Sequence, residues 1–407
     1  MRDAPRPVEV FINHFRRPDV PAGDVLAAAR LARRFHVTLP AYAPTPLRML
    51  PELARRLGVG SVLVKDESPR FGLGAFKGLG SVWAVARVLA RRLGIPLREL
   101  SLENLLTAAA RNLPGKLTFV TATDGNHGRG LAWAARLLGH TAQIFMPEGA
   151  AGSRVESIRA QGAQCVVTDL PYDDAVRHAA AHARGSGAIL VQDTAWEGYE
   201  EIPAWIMEGY GTLALEVLEQ MEAPENGGAP LWPTHVFLQA GVGSFAAAMI
   251  GCFRQALRER GVPIPRFVSM EPRAADCVCR SLAAGAPRRV PGRLATLMAG
   301  LSCGEVSSLA WPVLRDGLAA ACVCPDDTAR RGMRLLALPA GSDPAVISGE
   351  SGAVGAGLLE WLRENDGSAG GAALGLGPEA RILLISTEGA TDPVVWRQSV
   401  GKKPPEC

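Results

Sequence analysis

Residues 117–146 read LTFVTATDGNHGRGLAWAARLLGHTAQIFM, and their order decides the fold class. Leu117 to Thr123 is a run of β-branched and apolar residues, Asp124 to Gly128 supplies turn chemistry, Arg129 to Leu138 reads as a helix, and Ala142 to Met146 is a strand again. A strand, a helix and a second strand in that order make a crossover unit, which lays two parallel strands side by side under the helix. A parallel sheet needs helices on both faces, so further units are expected.

The alternation continues along the chain. Helix Ser153 to Gln161 precedes strand Cys165 to Thr168, and helix Asp173 to Ala183 precedes strand Ala188 to Gln192. A long helix around Ala204 to Met221 leads to strand His235 to Gln239, helix Phe245 to Arg258 and strand Arg266 to Met270. Upstream lie a strand Ser61 to Asp66 and a helix Gly78 to Arg92. Downstream, past a less regular stretch, come helices near Asp327 to Leu336 and Ala353 to Glu364 and a last strand Arg381 to Ser386. Ala223 to Pro233 and Asp366 to Pro378 are turn-rich and read as linker and loop. Prolines at positions 5, 7, 18, 21, 40, 44 and 46 mark an N-terminal segment expected to wrap over a core rather than form one.

The chain has 407 residues, enough for two domains or three. Its 48% apolar and 20% charged residues are those of a globular protein, which excludes disordered, collagen-like and coiled-coil classes. Lysine and arginine number 43 against 40 acidic residues, and a net +3 is too even for the one-signed field that nucleic-acid or membrane binding uses. Arg2, Asp3, Arg6 and Glu9 deny the first residues the apolar core of a secretory signal, so a cytoplasmic location is expected. Pro230 to Phe253 would pass as a membrane span on hydropathy, but Gln239, Gly241, Gly243 and Ser244 interrupt it where a strand turns into a helix. Eight cysteines suit a reducing compartment. The C-x-C pairs Cys277/Cys279 and Cys322/Cys324 lack zinc-site spacing, and His178 with His182 on one helix face has no third ligand, so no metal is expected.

The 43 cations hide a bias: 38 are arginine, and only Lys65, Lys77, Lys116, Lys402 and Lys403 are lysine. Arginine neither deprotonates nor forms a Schiff base, whereas lysine does both. Lys77 stands in Phe76-Lys77-Gly78-Leu79-Gly80, where a loop enters a helix. The positive end of the helix dipole disfavours an ammonium there and leaves a nucleophilic amine, and the glycines let something bulky approach the backbone. An ordinary exposed lysine would fit the same place; scarcity sets this one apart.

Further polar loops follow strands. Thr121 to Gly128 holds a Gly-x-x-Gly turn whose Asn126 reaches a ring hydroxyl or a carboxylate, although Asp-Gly would serve a plain turn equally well. In QAGVGSFA, residues 239–246, Gly241, Val242, Gly243, Ser244 and Phe245 cradle a phosphate through backbone amides. The same segment fits the dinucleotide fingerprint, with Glu271 ending the next strand, so a nicotinamide oxidoreductase competes. That reading leaves unexplained Lys77 and two more small-residue turns, Ser348 to Ala353 and Ser386 to Asp392. A phosphorylated aromatic aldehyde uses them together: Lys77 for the aldehyde, Gly241 to Phe245 for the phosphate, Asn126 for the ring oxygen and Thr387 for the ring nitrogen.

On these residues, Lys77 in F-K-G with the G-N-H-G, G-V-G-S and S-T-E-G loops, the chain resembles the fold-type II pyridoxal-phosphate enzymes of the tryptophan synthase β family over nearly its whole length. The resemblance implies an α/β fold of two open, mostly parallel domains with pyridoxal 5'-phosphate in the cleft between them. Residues 1–75 and 235–407 would form the large cofactor-binding domain and residues 76–234 the smaller one, in a homodimer. Most members acting on serine or threonine carry Ser-Ser-Gly-Asn or Ser-Ala-Gly-Asn where this chain has Thr123-Asp124-Gly125-Asn126. With VQDTAWEGY at 191–199 and MAGLSCG at 298–304, that aspartate makes the chain similar to the diaminopropionate ammonia-lyases.

The reaction so implied converts a small amino acid, 2,3-diaminopropionate, to pyruvate and two ammonia molecules. Lys77, Asp124 and Asp193 would be its catalytic groups, with Lys77 and Asp124 as bases for opposite enantiomers. A serine or threonine dehydratase would share the cofactor residues, and only Asp124 and Asp193 argue against it. A non-catalytic cofactor carrier would need no acidic pair either. Cys277 and Cys303, in the matching C-terminal stretch, are expected to approach one another near the site.

Overall fold

The structure, a computed structural model, describes residues 7–20, 24–223, 228–339, 341–365, 369–402 and 404. Its strands in chain order are β1 (Glu9–Ile12), β2 (Leu47–Met49), β3 (Ser61–Asp66), β4 (Thr118–Ala122), β5 (Thr141–Met146), β6 (Gln164–Val167), β7 (Ile189–Leu190), β8 (His235–Gln239), β9 (Arg266–Pro272), β10 (Leu318–Cys324) and β11 (Arg381–Ser386). They form a seven-stranded sheet, β1-β10-β9-β8-β11-β3-β2, and a four-stranded sheet, β6-β5-β4-β7. The small sheet is parallel throughout, and Thr118 faces Thr141 across the crossover that opened the sequence reading. In the large sheet the five inner strands are parallel, and β1 and β2 close the two edges antiparallel. The chain thus has the fold-type II α/β architecture.

Three expectations need correction. The N-terminal segment does form core: helix Val25–His36 places Leu26, Ala29, Ala32 and Phe35 at 0% exposure. No proline falls between Pro21 and Pro40, and a count of prolines over the whole segment hides that window. The less regular stretch after β9 holds β10, which pairs with both β9 and β1; its sequence, LAAACVC, has too few β-branched residues to announce a strand. Within Asp366 to Pro378, Ala369–Leu374 is helical, while residues 366–368 lie outside the described residues, as do residues 224–227 of the linker, Met1 to Arg6 and Lys403. Among the described residues no helix is long and apolar enough to cross a membrane.

Lys65 is used for structure. It ends inside a neutral four-charge cluster in which Lys65, Arg70, Glu67 and Glu216 are all fully buried. Lys65 Nζ donates to Glu216 at 2.8 Å and to the Thr45 carbonyl at 2.7 Å, and Arg70 bridges Glu67 and Glu216 through four bonds of 2.8 Å. Burial opposes the Glu216 charge, yet Arg70 and Lys65 hold its carboxyl well below the usual carboxylate range. The cluster ties β3 to helix Glu201–Glu222, which packs on helix Gly78–Leu93 just after Lys77. That approach is close: a Cβ on Gly80 would fall 2.6 Å from Ile206, and one on Gly209 would fall 2.6 Å from the Leu79 carbonyl. Gly80 therefore admits a helix rather than a ligand.

Removing one member leaves the others buried and unpaired, so Glu216→Ala should lower unfolding stability by about 3–5 kcal/mol. Urea unfolding measures this, and a loss below about 1 kcal/mol would show that the cluster is dispensable.

Candidate active site

Every functional loop of this chain leaves the carboxyl end of a parallel strand, as expected where helices cover both faces of an open sheet. The two sheets bring those ends to one cleft. All ten residues singled out from the sequence line it: Lys77, Asp124, Asn126, Asp193, Gly241, Val242, Gly243, Ser244, Phe245 and Thr387. Lys77 caps the N-terminus of helix Gly78–Leu93, Asp124 and Asn126 follow β4, and Asp193 follows β7. Gly241 to Phe245 follow β8, and Thr387 follows β11.

Lys77 Nζ donates to Asp193 Oδ2, and both groups are largely buried. Burial and the helix dipole work against the ammonium, but Asp193 outweighs them and raises the Lys77 pKa. The neutral amine expected from the dipole alone is corrected by a carboxylate 116 positions away in sequence. Burial also opposes the Asp193 charge, and the His127 ring and Lys77 beside it hold the carboxyl down at about 2. His127 has its own pKa lowered by burial and is neutral at pH 7, which leaves Lys77 as the counter-charge. His127 Nε2 lies 2.8 Å from the Val191 carbonyl and so carries the proton, turning Nδ1 toward Ser81 Oγ at 3.5 Å and Asp193 Oδ2 at 3.9 Å.

Asp193 is aimed by its neighbour. Gln192 Oε1 accepts from Thr121 Oγ1 at 2.8 Å and from the Ala122 amide at 3.0 Å, which frees Gln192 Nε2 to donate to Asp193 Oδ1 at 3.3 Å. Asp124 has the opposite character. Burial pushes its carboxyl up to about 7, with Arg154 opposing and Asp193 adding to the shift. The cleft therefore holds one fully ionised carboxylate and one that titrates near neutrality.

The glycine loop fits an anion. Gly243 has φ +90, where a Cβ would fall 2.5 Å from Leu314, and a Cβ on Gly241 would fall 3.0 Å from Cys303 Sγ. Helix Ser244–Glu259 starts here, so its first-turn amides have no carbonyl partner within the helix. The Ser244 hydroxyl donates to the Asp193 carbonyl at 2.8 Å, binding the loop to the small sheet rather than pointing a donor at a ligand. Gln239 Oε1 and Ser351 Oγ line the cleft, buried and without a partner among the described residues. These orphaned atoms, the amide cradle and the lysine fit a phosphorylated polar ring. The Asn126 amide donates to Glu388, whose other oxygen accepts from the Ser351 amide at 2.9 Å.

The dinucleotide reading fails at Glu271, which is spent on a helix cap. Both of its oxygens accept amides, from Val278 and Cys279, each at 2.7 Å. Cys277 and Cys303 are both free thiols flanking Gly241, with Cys277 Sγ 3.4 Å from the Gly241 carbonyl. Among the described residues no three His, Cys, Asp or Glu side chains gather to hold a metal ion. Sequence reasoning missed Arg154 and Tyr172 in the cleft wall. Both stand just past strand ends, where the carboxyl-end rule points, but one arginine among 38 carries no signal of its own.

The sequence signature of the pyridoxal-phosphate dependent enzyme family matches residues 38–388. A diaminopropionate ammonia-lyase of Salmonella typhimurium is 49% identical over 370 residues, covering 90% of each chain. The crystal structure of holo diaminopropionate ammonia lyase from Escherichia coli superposes with a TM-score of 0.88 at 44% identity, covering 97% of this chain and 96% of that one. The same Escherichia coli enzyme in complex with an aminoacrylate-PLP azomethine reaction intermediate gives 0.84 at 43% identity, with the same coverage. With a family match across most of its length and relatives near half identity over nine-tenths of it, the chain belongs to the pyridoxal-phosphate dependent enzymes.

Proposed function

We propose that this chain eliminates ammonia from 2,3-diaminopropionate with pyridoxal 5'-phosphate, so that substrate and one water give pyruvate and two ammonia molecules. One observation carries the proposal: a lysine amine shares its cleft with two carboxylates of opposite character, Asp193 held at about 2 and Asp124 pushed up to about 7. An amino acid with a second ammonium needs a negative group to receive it, and that amine must carry its third proton when the C–N bond breaks so that it departs as ammonia. A hydroxy-amino-acid dehydratase on the same scaffold must also protonate its leaving oxygen, but it has no second ammonium for a carboxylate to receive.

When bound, the cofactor supplies an electron sink for the negative charge left at the substrate α carbon. Lys77 would hold its aldehyde carbon, Asn126 its ring oxygen, Thr387 its ring nitrogen, and the amides of Gly241 to Phe245 its phosphate. The rest is acid–base work by the chain. Lys77 in its neutral form takes the α proton from one face and Asp124 from the other, which serves opposite enantiomers. Asp193 keeps a proton on or near Lys77 Nζ, where it is available to the departing amine. Buried walls such as Phe76 and Phe245 exclude water from these transfers.

The same reading takes residues 1–75 with 235–407 as the large cofactor-binding domain and 76–234 as the smaller one; the seven-stranded sheet draws its strands from the first set and the four-stranded sheet from the second. It places the enzyme in the cytoplasm, a setting that suits the free thiols of all seven cysteines among the described residues. It also makes the enzyme a homodimer, on resemblance alone. Light scattering should then give twice the 42.9 kDa chain mass, and a monomer mass would reject the dimer.

The deciding assay is pyruvate release from D- and L-2,3-diaminopropionate, with L-serine and L-threonine as controls. Rapid release from either diaminopropionate and little from the hydroxy amino acids is expected; turnover of serine or threonine alone would make the enzyme a dehydratase. Asp124→Ser should lower the rate on one enantiomer by about 100-fold and spare the other, and Asp193→Asn should lower both by a similar factor while cofactor absorbance persists. A base works only when deprotonated, so the Asp124-dependent rate should be full above pH about 7 and fall away below it. Equal loss on both enantiomers in Asp124→Ser would remove that residue from the role of base.

A further inference from the structure

The catalytic cleft adjoins a second, open pocket, and Asp124, Arg154 and Tyr172 line both. Arg154 belongs to helix Gly152–Arg159, which follows β5 of the small sheet. Glu350 is the first residue of helix Glu350–Glu364, which packs on the large sheet. Their ion pair spans the cleft with side chains only 12% and 1% exposed. Arg154 also grips the turn beside it. Nη1 donates to the Asp124 carbonyl at 3.4 Å, and the aliphatic stem lies over Gly125, at φ +150, where a Cβ would fall 3.1 Å from Arg154 Cδ. The peptide that carries Asp124 is thus clamped by a side chain whose far end is moored on the opposite wall.

We propose that Arg154 is a positioning residue: anchored by Glu350, it fixes the Asp124–Gly125 turn and thereby sets the ratio at which the two enantiomers of the substrate are turned over. The inference rests on the reading of Asp124 as the base for one enantiomer. A base displaced by an ångström loses most of its effect, by about 100-fold. Lys77 is held by Asp193 and touches neither partner of the clamp, so the other enantiomer is insulated. Arg154 further tunes the carboxyl it positions. The charged and titratable groups around Asp124 are Arg154, Asp193, Lys77, Asp173, Tyr172 and Cys303, and Arg154 is the stronger of its two cations. Around Glu350 stand Arg154, Glu388 and Asp392.

The test compares holoenzyme carrying Arg154→Gln, Glu350→Gln or Arg154→Lys. The enantiomer that depends on Asp124 is the one lost in Asp124→Ser. Both glutamine variants should shift the ratio of the two rates at least ten-fold against that enantiomer, and Arg154→Lys should restore part of it. The acid limb for that enantiomer should move to higher pH in Arg154→Gln, which loses a cation. Without cofactor or substrate, amide hydrogen exchange over residues 121–130 should quicken in both glutamine variants. Equal losses on both enantiomers with an unmoved limb would mean a merely structural bridge and overturn the proposal, as would unchanged exchange. If the unmodified enzyme turned over neither diaminopropionate, the proposed function would fall, and exchange alone would decide the clamp: quickened supports it, unchanged overturns it.

Discussion

Two sheets, with strands running parallel through all but two edge pairings, aim the carboxyl ends of those strands at one gap, and the site follows from that constraint. Loops at such ends carry helix N-termini, so the gap gathers unpaired amides and positive helix dipoles from both walls. A cation placed there needs a buried counter-ion, and the chain supplies Asp193 for Lys77 and Glu350 for Arg154. Each of these pairs joins parts of the chain far apart in sequence. The cleft is therefore held in register by the same electrostatics that serve its chemistry.

How much of this the sequence disclosed depended on how local the cause was. β3, β8 and β11 were legible to the residue, since Ser61–Asp66, His235–Gln239 and Arg381–Ser386 are apolar runs bounded by turn signals. β10 was not, because LAAACVC is a strand by virtue of its neighbours β1 and β9 rather than its own propensity. The loops Thr123 to Gly128 and Gly241 to Phe245 were legible because glycine, asparagine and aspartate are selected there by backbone geometry. What no local pattern disclosed was pairing across the cleft. Lys77 looked like a lysine discharged by a helix dipole, and only the fold brings Asp193 to it.

The buried charges divide into two kinds that look alike in composition. Lys65, Arg70, Glu67 and Glu216 are mutually satisfied and shut away, a rigid joint between β3 and helix Glu201–Glu222. Lys77, Asp193 and Asp124 lie less deep and border open space, with the Lys77 side chain 20% exposed, and Gln239 and Ser351 beside them keep orphaned oxygens. Satisfaction as well as depth separates the joint from the site.

The scarcity of lysine has a consequence for the way the enzyme acquires its cofactor. A vitamin aldehyde free in solution condenses with whatever primary amines it meets, and most proteins offer it dozens of decoys. Here Lys65 is sealed inside ion pairs, and among the described residues only Lys116 and Lys402 present an amine on the surface, since arginine has taken the other places. Loading fidelity is thus written into the surface composition: the aldehyde has few places to go astray before it reaches Lys77.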